Sequence, residues 1–429
     1  MDKFDVLVVG AGLAGSTAAY VAAQAGLQTV LVERGAQPGT KTVSGGLLYG
    51  HSLARLFPRF WEEEPSPVER AIDRNVISFL TPTQATSIDF FDAAWSKPPH
   101  NSFSVLRSRL DPWLAGKAEA AGAVPVYGVK VDELVREQGT VVGIKAAGDE
   151  LRADVVILAD GVNALLDRRS GGQPEADPQV TGIGVKEVLG LPPGEVQRRF
   201  QLSERSGTQY TTIGFPSDVE GGGFLYTNRD SISIGIILNM RSVAEGRIPM
   251  YEVLEDYKQH PFIARLIEGS TLLEYSGCFV GEAGFGRVPK VYGPGYLIAG
   301  SAAGLFLNTG FTLRGMDFAI ESGRLAGEAA VRAVRAHDVS MASLASYHQA
   351  LAASFAFREL ESFKGYPGVF SNPRLYGIYP RMMNEVLHRL YQVDGAGRPH
   401  LKKVLTRAYR GKVSALRVLR DLNHAARDL

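Results

Sequence analysis

The segment Val6–Gly15 reads VLVVGAGLAG, a β-rich apolar run that meets a glycine turn and then an alanine-rich stretch of helical character through Ala25. Few local patterns confine a chain so narrowly. Gly10 permits a tight turn, Gly12 lets backbone approach a bound anion, and Gly15 lets the helix pack closely on the strand. The free N–H groups of the first helical turn then face that anion. A second strand, Thr29–Val32, ends in Glu33, followed by Arg34. An acid at about this distance, roughly 20 residues on, can accept hydrogen bonds from both hydroxyls of an adenosine ribose. Strand, helix, strand and acid together predict an α/β unit that binds a dinucleotide.

Composition limits what surrounds this unit. A chain of 429 residues can bury a large core and divide into lobes. There is no uninterrupted apolar run of about 18 residues, so no membrane-spanning helix is expected. Met1 leads straight into a strand without room for a signal peptide, and cytoplasmic residence is the expectation. The one cysteine, Cys278, excludes an internal disulfide and an iron–sulfur cluster held by several thiolates. The eight histidines show no metal-ligand spacing. The net charge of +1 hides an asymmetry, because Arg398–Leu429 holds nine Lys/Arg against two Asp/Glu. Helical spacing of Leu401, Val404, Leu405, Ala408, Leu416, Leu419 and Leu422 leaves two readings: a surface helix pair, or a basic face for an acidic partner or anionic lipid. Nothing else supports nucleic-acid binding.

Three later segments fit the same site. Val155–Leu158 is a buried-type strand that ends in Ala159-Asp160-Gly161; Asp160 is either a turn residue or a cofactor neighbour. Arg107 precedes the helix opening at Leu110 and is placed either to pair with a pyrophosphate or ribityl chain or to make a surface salt bridge. Gly295–Gly300 gives a strand, Ser301–Gly304 begins the next element, and Asn308-Thr309-Gly310 leads into an expected helix over Phe311–Ala326. The N-terminus of that helix would aim positive partial charge at a flavin ring, and Gly310 would allow close backbone approach.

The GAGLAG turn, the ADG strand and AAGLFLNTGFTLRGMDFAIESG resemble the geranylgeranyl reductase/electron-transfer-flavoprotein:quinone oxidoreductase group. Lys41–His51 (KTVSGGLLYGH), GVKEV at Gly184–Val188, Leu191-Pro192-Pro193-Gly194 and GGFLYTNRDSISI at Gly222–Ile234 resemble its FixC-like flavoproteins. The resemblance runs nearly end to end. It implies an α/β fold of the glutathione-reductase type, an FAD cofactor, electrons taken from an electron-transfer flavoprotein, and a membrane quinone as acceptor. It also implies a separate ferredoxin-like subunit and peripheral contact with the inner face of a membrane. The implied FAD-binding positions are Gly10, Gly12, Gly15, Glu33, Arg34, Gly45, Arg107, Asp160, Gly161, Gly300, Ser301, Gly304, Asn308, Thr309 and Gly310. One departure stands out: the family pattern has Gly-Asp where this chain has Gly300-Ser301, so a hydrogen bond to the ribityl chain is retained without the charge. His51 has two readings: a satisfied buried histidine, or the one histidine near the ring and so the candidate catalytic residue.

The expected organisation is an FAD-binding first part at 1–178, with a flavin-proximal insertion near 41–100. An antiparallel-sheet domain follows at 179–285, then the second FAD-binding part at 286–345 and a helical region with the basic tail at 346–429. Gly182–Leu189, Gln209–Phe215, Gly223–Tyr226, Ser231–Leu238 and Leu272–Val280 read as alternating strands. Lys186 and Glu187 fall on opposite faces of theirs, which points to solvation or mutual pairing. Phe363–Tyr391, aromatic and broken by Pro367, Pro373 and Pro380, is either a lid on the core or a lipid-facing lip, with Arg374, Arg381 and Arg389 near headgroups. A prenyl-lipid reductase, an NADPH-dependent hydroxylase and a non-catalytic flavin-binding subunit are the competing functions.

Overall fold

The computed structural model describes residues 3–40, 45–163, 166, 181–216, 218–281, 290–395, 397, 399–409 and 412–429. Lys41–Ser44, the expected boundaries near 178 and 285, and Gly411 lie outside them. Among the described residues one sheet has the strand order Tyr292–Gly293, Tyr296–Ile298, Asp149–Leu158, Phe4–Val9, Thr29–Glu33, Val124–Tyr127. Its four central strands are parallel, with Val8 in register with Ile157 on one side and Leu31 on the other. Val6, Leu7, Val8 and Val155–Leu158 are fully buried, as a parallel sheet covered on both faces requires.

Helix Leu13–Gln24 crosses this sheet and packs on the long helix Met316–Arg335. The two approach so closely that a Cβ at Gly323 would lie 2.2 Å from the Ala14 carbonyl oxygen. Residues at the two ends of the chain are thereby locked together beside the first turn. Tyr347 of helix Met341–Ala352 adds a hydrogen bond of 2.9 Å to the Ile298 carbonyl.

The second sheet runs Thr271–Gly281, Thr181–Gly190, Ser231–Asn239, Gly221–Thr227, Ser206–Ile213, Arg70–Thr81, Ser102–Leu106, Gly45–Tyr49, with Gln84–Phe91 paired to Arg70–Thr81. The alternating strands read from the middle of the sequence are all present. The sheet is not purely antiparallel, however: Ser206–Ile213 runs parallel to Arg70–Thr81. One face carries Ile232, Ile234, Ile236, Leu225 and Val185 into a core shared with Tyr257 and Leu254 of helix Met250–Gln259. Arg70 is buried at its base. Nε donates to the Asn228 carbonyl at 2.5 Å, Nη2 to that of Arg229 at 2.8 Å, and Nη1 reaches the carbonyls of Ser203, Glu204 and Ser206 at 3.0–3.2 Å. One guanidinium therefore satisfies the backbone of two separate turns.

The expected helix over Phe311–Ala326 starts later, at Met316. Leu307–Asn308 pairs with Leu313–Arg314, and the turn between them closes through Thr309 and Thr312, whose hydroxyls are 2.9 Å apart. That hairpin consumes the residues assigned to the first helical turn.

Phe363–Tyr391 packs down on the body through buried Tyr366, Val369, Tyr376 and Met382. Its arginines are engaged: Arg374 with Asp421, Arg381 with Asp218, Arg389 with Glu385. The segment is a covering layer and not a lip. No helix of the described residues is long and apolar enough to cross a membrane.

Candidate active site

The first glycine turn opens on a cavity of about 720 Å³ that runs without interruption from one sheet to the other. Gly10 (φ +99°) crosses beneath the Asp149–Leu158 strand end, where a Cβ would lie 2.4 Å from the Ala159 oxygen. Gly15 is not a lining residue; a Cβ there would come within 1.8 Å of the Gly10 oxygen, so it sets the turn from behind. No side chain caps the Leu13–Gln24 helix and no acid lies in its first turn, leaving its N–H groups to a bound anion.

Glu33 stands at the mouth. One oxygen accepts from the Ala11 N–H at 3.0 Å and the other from the Gly35 N–H at 2.7 Å. Its lone pairs outnumber these two donors, leaving capacity for sugar hydroxyls. Arg34 lines the same end. Arg107 lies across the turn, with Nη2 3.4 Å from where a Gly12 Cβ would be. A bidentate pair with buried Asp111, at 2.5 and 2.6 Å, fixes its orientation. Arg107 thus faces the cleft, not the surface. Asp160 and Gly161 line the opposite wall, where the Asp160 carboxylate accepts from the Leu166 N–H at 3.2 Å.

Ser301 and Gly304 line the far end, and Gly300 sits just behind, donating its N–H to the Ser322 hydroxyl at 2.9 Å. Gly45 pairs with Leu106 in the second sheet, and the next two residues, Gly46 and Leu47, reach the cavity. Asn308, Thr309 and Gly310 are not among its lining residues. They form the hairpin turn, and the Phe370 ring fills the space beside Gly310, 2.6 Å from where a Cβ would be. What reaches the cavity from this block is Phe306, Leu313, Gly315 and Met316.

His51 lies behind the wall. Its Nε2 is 3.3 Å from Asp317, and its ring edge meets Phe355. Arg314 completes this cluster, donating to Asp317 and Glu359 while stacking over Tyr49, Phe318 and Phe355. Burial pushes the Tyr49 hydroxyl up to about 12, against the pull of the Arg314 charge. The cluster props the hairpin. Sequence reasoning missed it because its members come from three distant segments.

The second sheet supplies the remaining wall with the side chains of Phe224, Tyr226, Ile237, Val280, Lys186 and Cys278, whereas those of Ile183, Val185 and Phe279 alternate to the other face. Phe224 and Tyr226 stack at 5.0 Å. Lys186 and Glu187 do alternate, but they do not pair; Glu187 takes Lys258 at 2.8 Å on the opposite face. Among the described residues no group of three or more His, Cys, Asp or Glu is placed to hold a metal ion.

A dinucleotide cleft of this build, continuous with a largely apolar sheet wall, defines an FAD-dependent oxidoreductase. Residues 5–93 match the FAD dependent oxidoreductase family. Residues 181–279 match the family described as "ETF-QO, ubiquinone-binding", and 366–429 the ETF-QO/FixC family C-terminal domain. The chain is 44% identical to the probable electron transfer flavoprotein-quinone oxidoreductase YdiS of Escherichia coli K12, and 40% identical to Protein FixC of the same strain. Each match covers 98% of this chain and 97% of the relative. The chain belongs to the ETF-QO/FixC family. A geranylgeranyl bacteriochlorophyll reductase-like protein from Thermoplasma acidophilum shares the fold, with TM-score 0.71 at 20% identity over 99% of this chain and 100% of that one.

Proposed function

We propose that this chain takes electrons from an electron-transfer flavoprotein, with a separate ferredoxin-like subunit as a one-electron relay, and passes them to a membrane quinone. One observation carries the reading. The cofactor cleft and the apolar wall formed by the segment that matches the ubiquinone-binding family are a single cavity. An acceptor docked on Phe224 and Tyr226 shares one cavity with a cofactor that runs from the first glycine turn past Ser301 and Gly304.

The roles follow from chemistry. Glu33 holds the adenosine ribose, and the Gly10–Gly15 turn with its helix N-terminus takes the pyrophosphate. Arg107, pre-oriented by Asp111, adds charge-assisted hydrogen bonds to that group. Ser301 hydrogen-bonds the ribityl chain. Bound there, FAD supplies acceptance of two electrons and their release singly or in pairs. Phe224, Tyr226, Ile237 and Val280 exclude water and favour a flat apolar acceptor. His51, behind the wall and tied to Asp317, orients the hairpin and does not touch the acceptor.

Peripheral membrane contact belongs to the same reading, and the terminal helix Ala415–Asp428 supports it. Leu416, Leu419 and Leu422 are exposed along one face, with Arg420 and Arg417 to one side of it.

The test is anaerobic stopped-flow reoxidation of the reduced protein by a short-chain quinone, with a geranylgeranyl lipid at matched concentration as control. Fast reoxidation by quinone alone is expected. Reoxidation by the prenyl lipid alone would make the chain a prenyl-lipid reductase, and response to neither would leave a flavin-binding subunit.

A further inference from the structure

Four cations line the cavity: Arg34, Arg107, Lys130 and Lys186. Arg107 is neutralised by Asp111, and Lys130 meets Asp132 at 3.2 Å. Arg34, next after Glu33 in the chain, is exposed to solvent. Lys186 differs from all three. It has no carboxylate within ion-pair reach among the described residues, and its polar neighbours are the Cys278 thiol and the Arg107 guanidinium.

Its direction is fixed by register. On Thr181–Gly190, Lys186 lies opposite Ser276 on one side and Gly235 on the other, and both Ser276 and Lys186 face the cavity. Gly235 matters here: a Cβ there would lie 2.8 Å from the Lys186 Cβ and 2.5 Å from the Phe224 ring. The bare backbone keeps Lys186 and Phe224 neighbours on one wall. Glu187, the nearest acid in sequence, points the other way to Lys258. Burial lowers the Lys186 pKa and the Arg107 charge lowers it further, with the Cys278 thiol opposing. A half-buried ammonium without a counter-ion is costly to keep. An anion arriving in the cavity relieves that cost.

We propose that Lys186 is the counter-charge for the negative charge that bound flavin acquires on reduction. Two electrons and one proton leave the ring with one net negative charge, which disappears again when the electrons pass to the quinone. An ammonium on the facing wall stabilises the reduced form over the oxidised one and raises the potential of the couple. This rests on FAD binding in the cavity and not on the identity of the acceptor, so it stands or falls apart from the quinone reading.

Spectroelectrochemical titration of the FAD-loaded protein tests it. Lys186→Met should weaken the preference for the reduced state about tenfold, a shift of ~30 mV to lower potential for a two-electron couple. Lys186→Gln, which keeps the length and polarity, should shift it likewise, and Lys186→Arg should restore it. Glu187→Gln, altering the other face, should leave it unchanged. An unchanged potential in both neutral variants would overturn the proposal. So would weaker FAD binding at unchanged potential, which would assign Lys186 to the pyrophosphate instead.

Discussion

Arg374 and Asp421 form a two-pronged ion pair, Nε to Oδ2 at 2.6 Å and Nη2 to Oδ1 at 2.8 Å, and this pair decides which face of the last helix meets water. The Tyr379 hydroxyl donates to the same carboxylate. Asp428 lies against Gly365, again from the inner side. A surface helix ordinarily buries its apolar stripe. Here the polar stripe is inward, and Leu416, Leu419 and Leu422 are 71%, 63% and 61% exposed.

That inversion leads to a prediction for lipid binding. The wild-type protein should float with vesicles containing anionic lipid and less well with neutral ones, because the arginines beside the leucines add electrostatic attraction. Replacing Leu416, Leu419 and Leu422 together by glutamine should weaken partitioning at least about tenfold, since each leucine contributes on the order of 1.5 kcal/mol or more when buried. Equal flotation of the two proteins would remove the terminal helix from any membrane role.

The same ion pair sets an acid limit. Hydrogen bonding from Arg374 holds the Asp421 carboxyl well below the usual aspartate range. Its contribution is therefore fully present above the unfolded value of about 3.9 and is lost only as pH falls through the depressed folded value. Hydrogen exchange over 415–428 should stay slow at pH 4–5, whereas Asp421→Asn should quicken it already at neutral pH. Loosening of the wild-type helix centred at or above pH 4 would contradict this assignment.

Arg70 offers a stability test away from the cleft. Arg70→Met removes the donor to five backbone carbonyls, that of Asn228 buried and the other four partly so, and should cost about 2–3 kcal/mol, read as a lower midpoint in urea. Arg70→Lys should recover only part, since an ammonium has three donors and no planar fork. A loss below about 1 kcal/mol in the methionine variant would mean that water replaces the guanidinium.

Ser301 lines the cavity at the position where the resemblance in sequence leads one to expect an aspartate. Ser301→Asp should tighten FAD binding, because a charged acceptor adds about 1 kcal/mol or so over a neutral one. Titration of the apoprotein by flavin fluorescence would show a dissociation constant roughly fivefold lower. No change, or weaker binding, would show that this cleft is built around the hydroxyl.

The parts of this molecule legible in the sequence are those encoded locally. The first turn, Glu33 and the Asp160-Gly161 strand end each follow from a few contiguous residues, and Gly10, Gly12, Glu33, Asp160 and Gly161 line the cavity while Gly15 shapes it from behind; the direction of Arg107, open in the sequence between cleft and surface, is settled only by the buried Asp111 beside it. Where long-range pairing decides, local signals fail. The parallel contact between Arg70–Thr81 and Ser206–Ile213 joins strands more than a hundred residues apart, with no turn between them to announce it. The Met316 helix starts late because a threonine-closed hairpin competes for its first turn. Alternation separated Lys186 from Glu187, but only the sheet shows which of the two faces the cavity and that Lys258, not Lys186, takes the carboxylate.

The strand order carries a consequence for synthesis. Phe4–Val9 leaves the ribosome ahead of its sheet partners, and the sheet gains Tyr296–Ile298 only after nearly three hundred further residues have been made. At about 5–20 residues per second this wait is on the order of 15–60 s. Throughout it the glycine turn exists without its far wall. The nascent chain is then a half-made cleft with exposed valine edges, a state that favours chaperone capture and puts cofactor loading among the last acts of the chain's maturation.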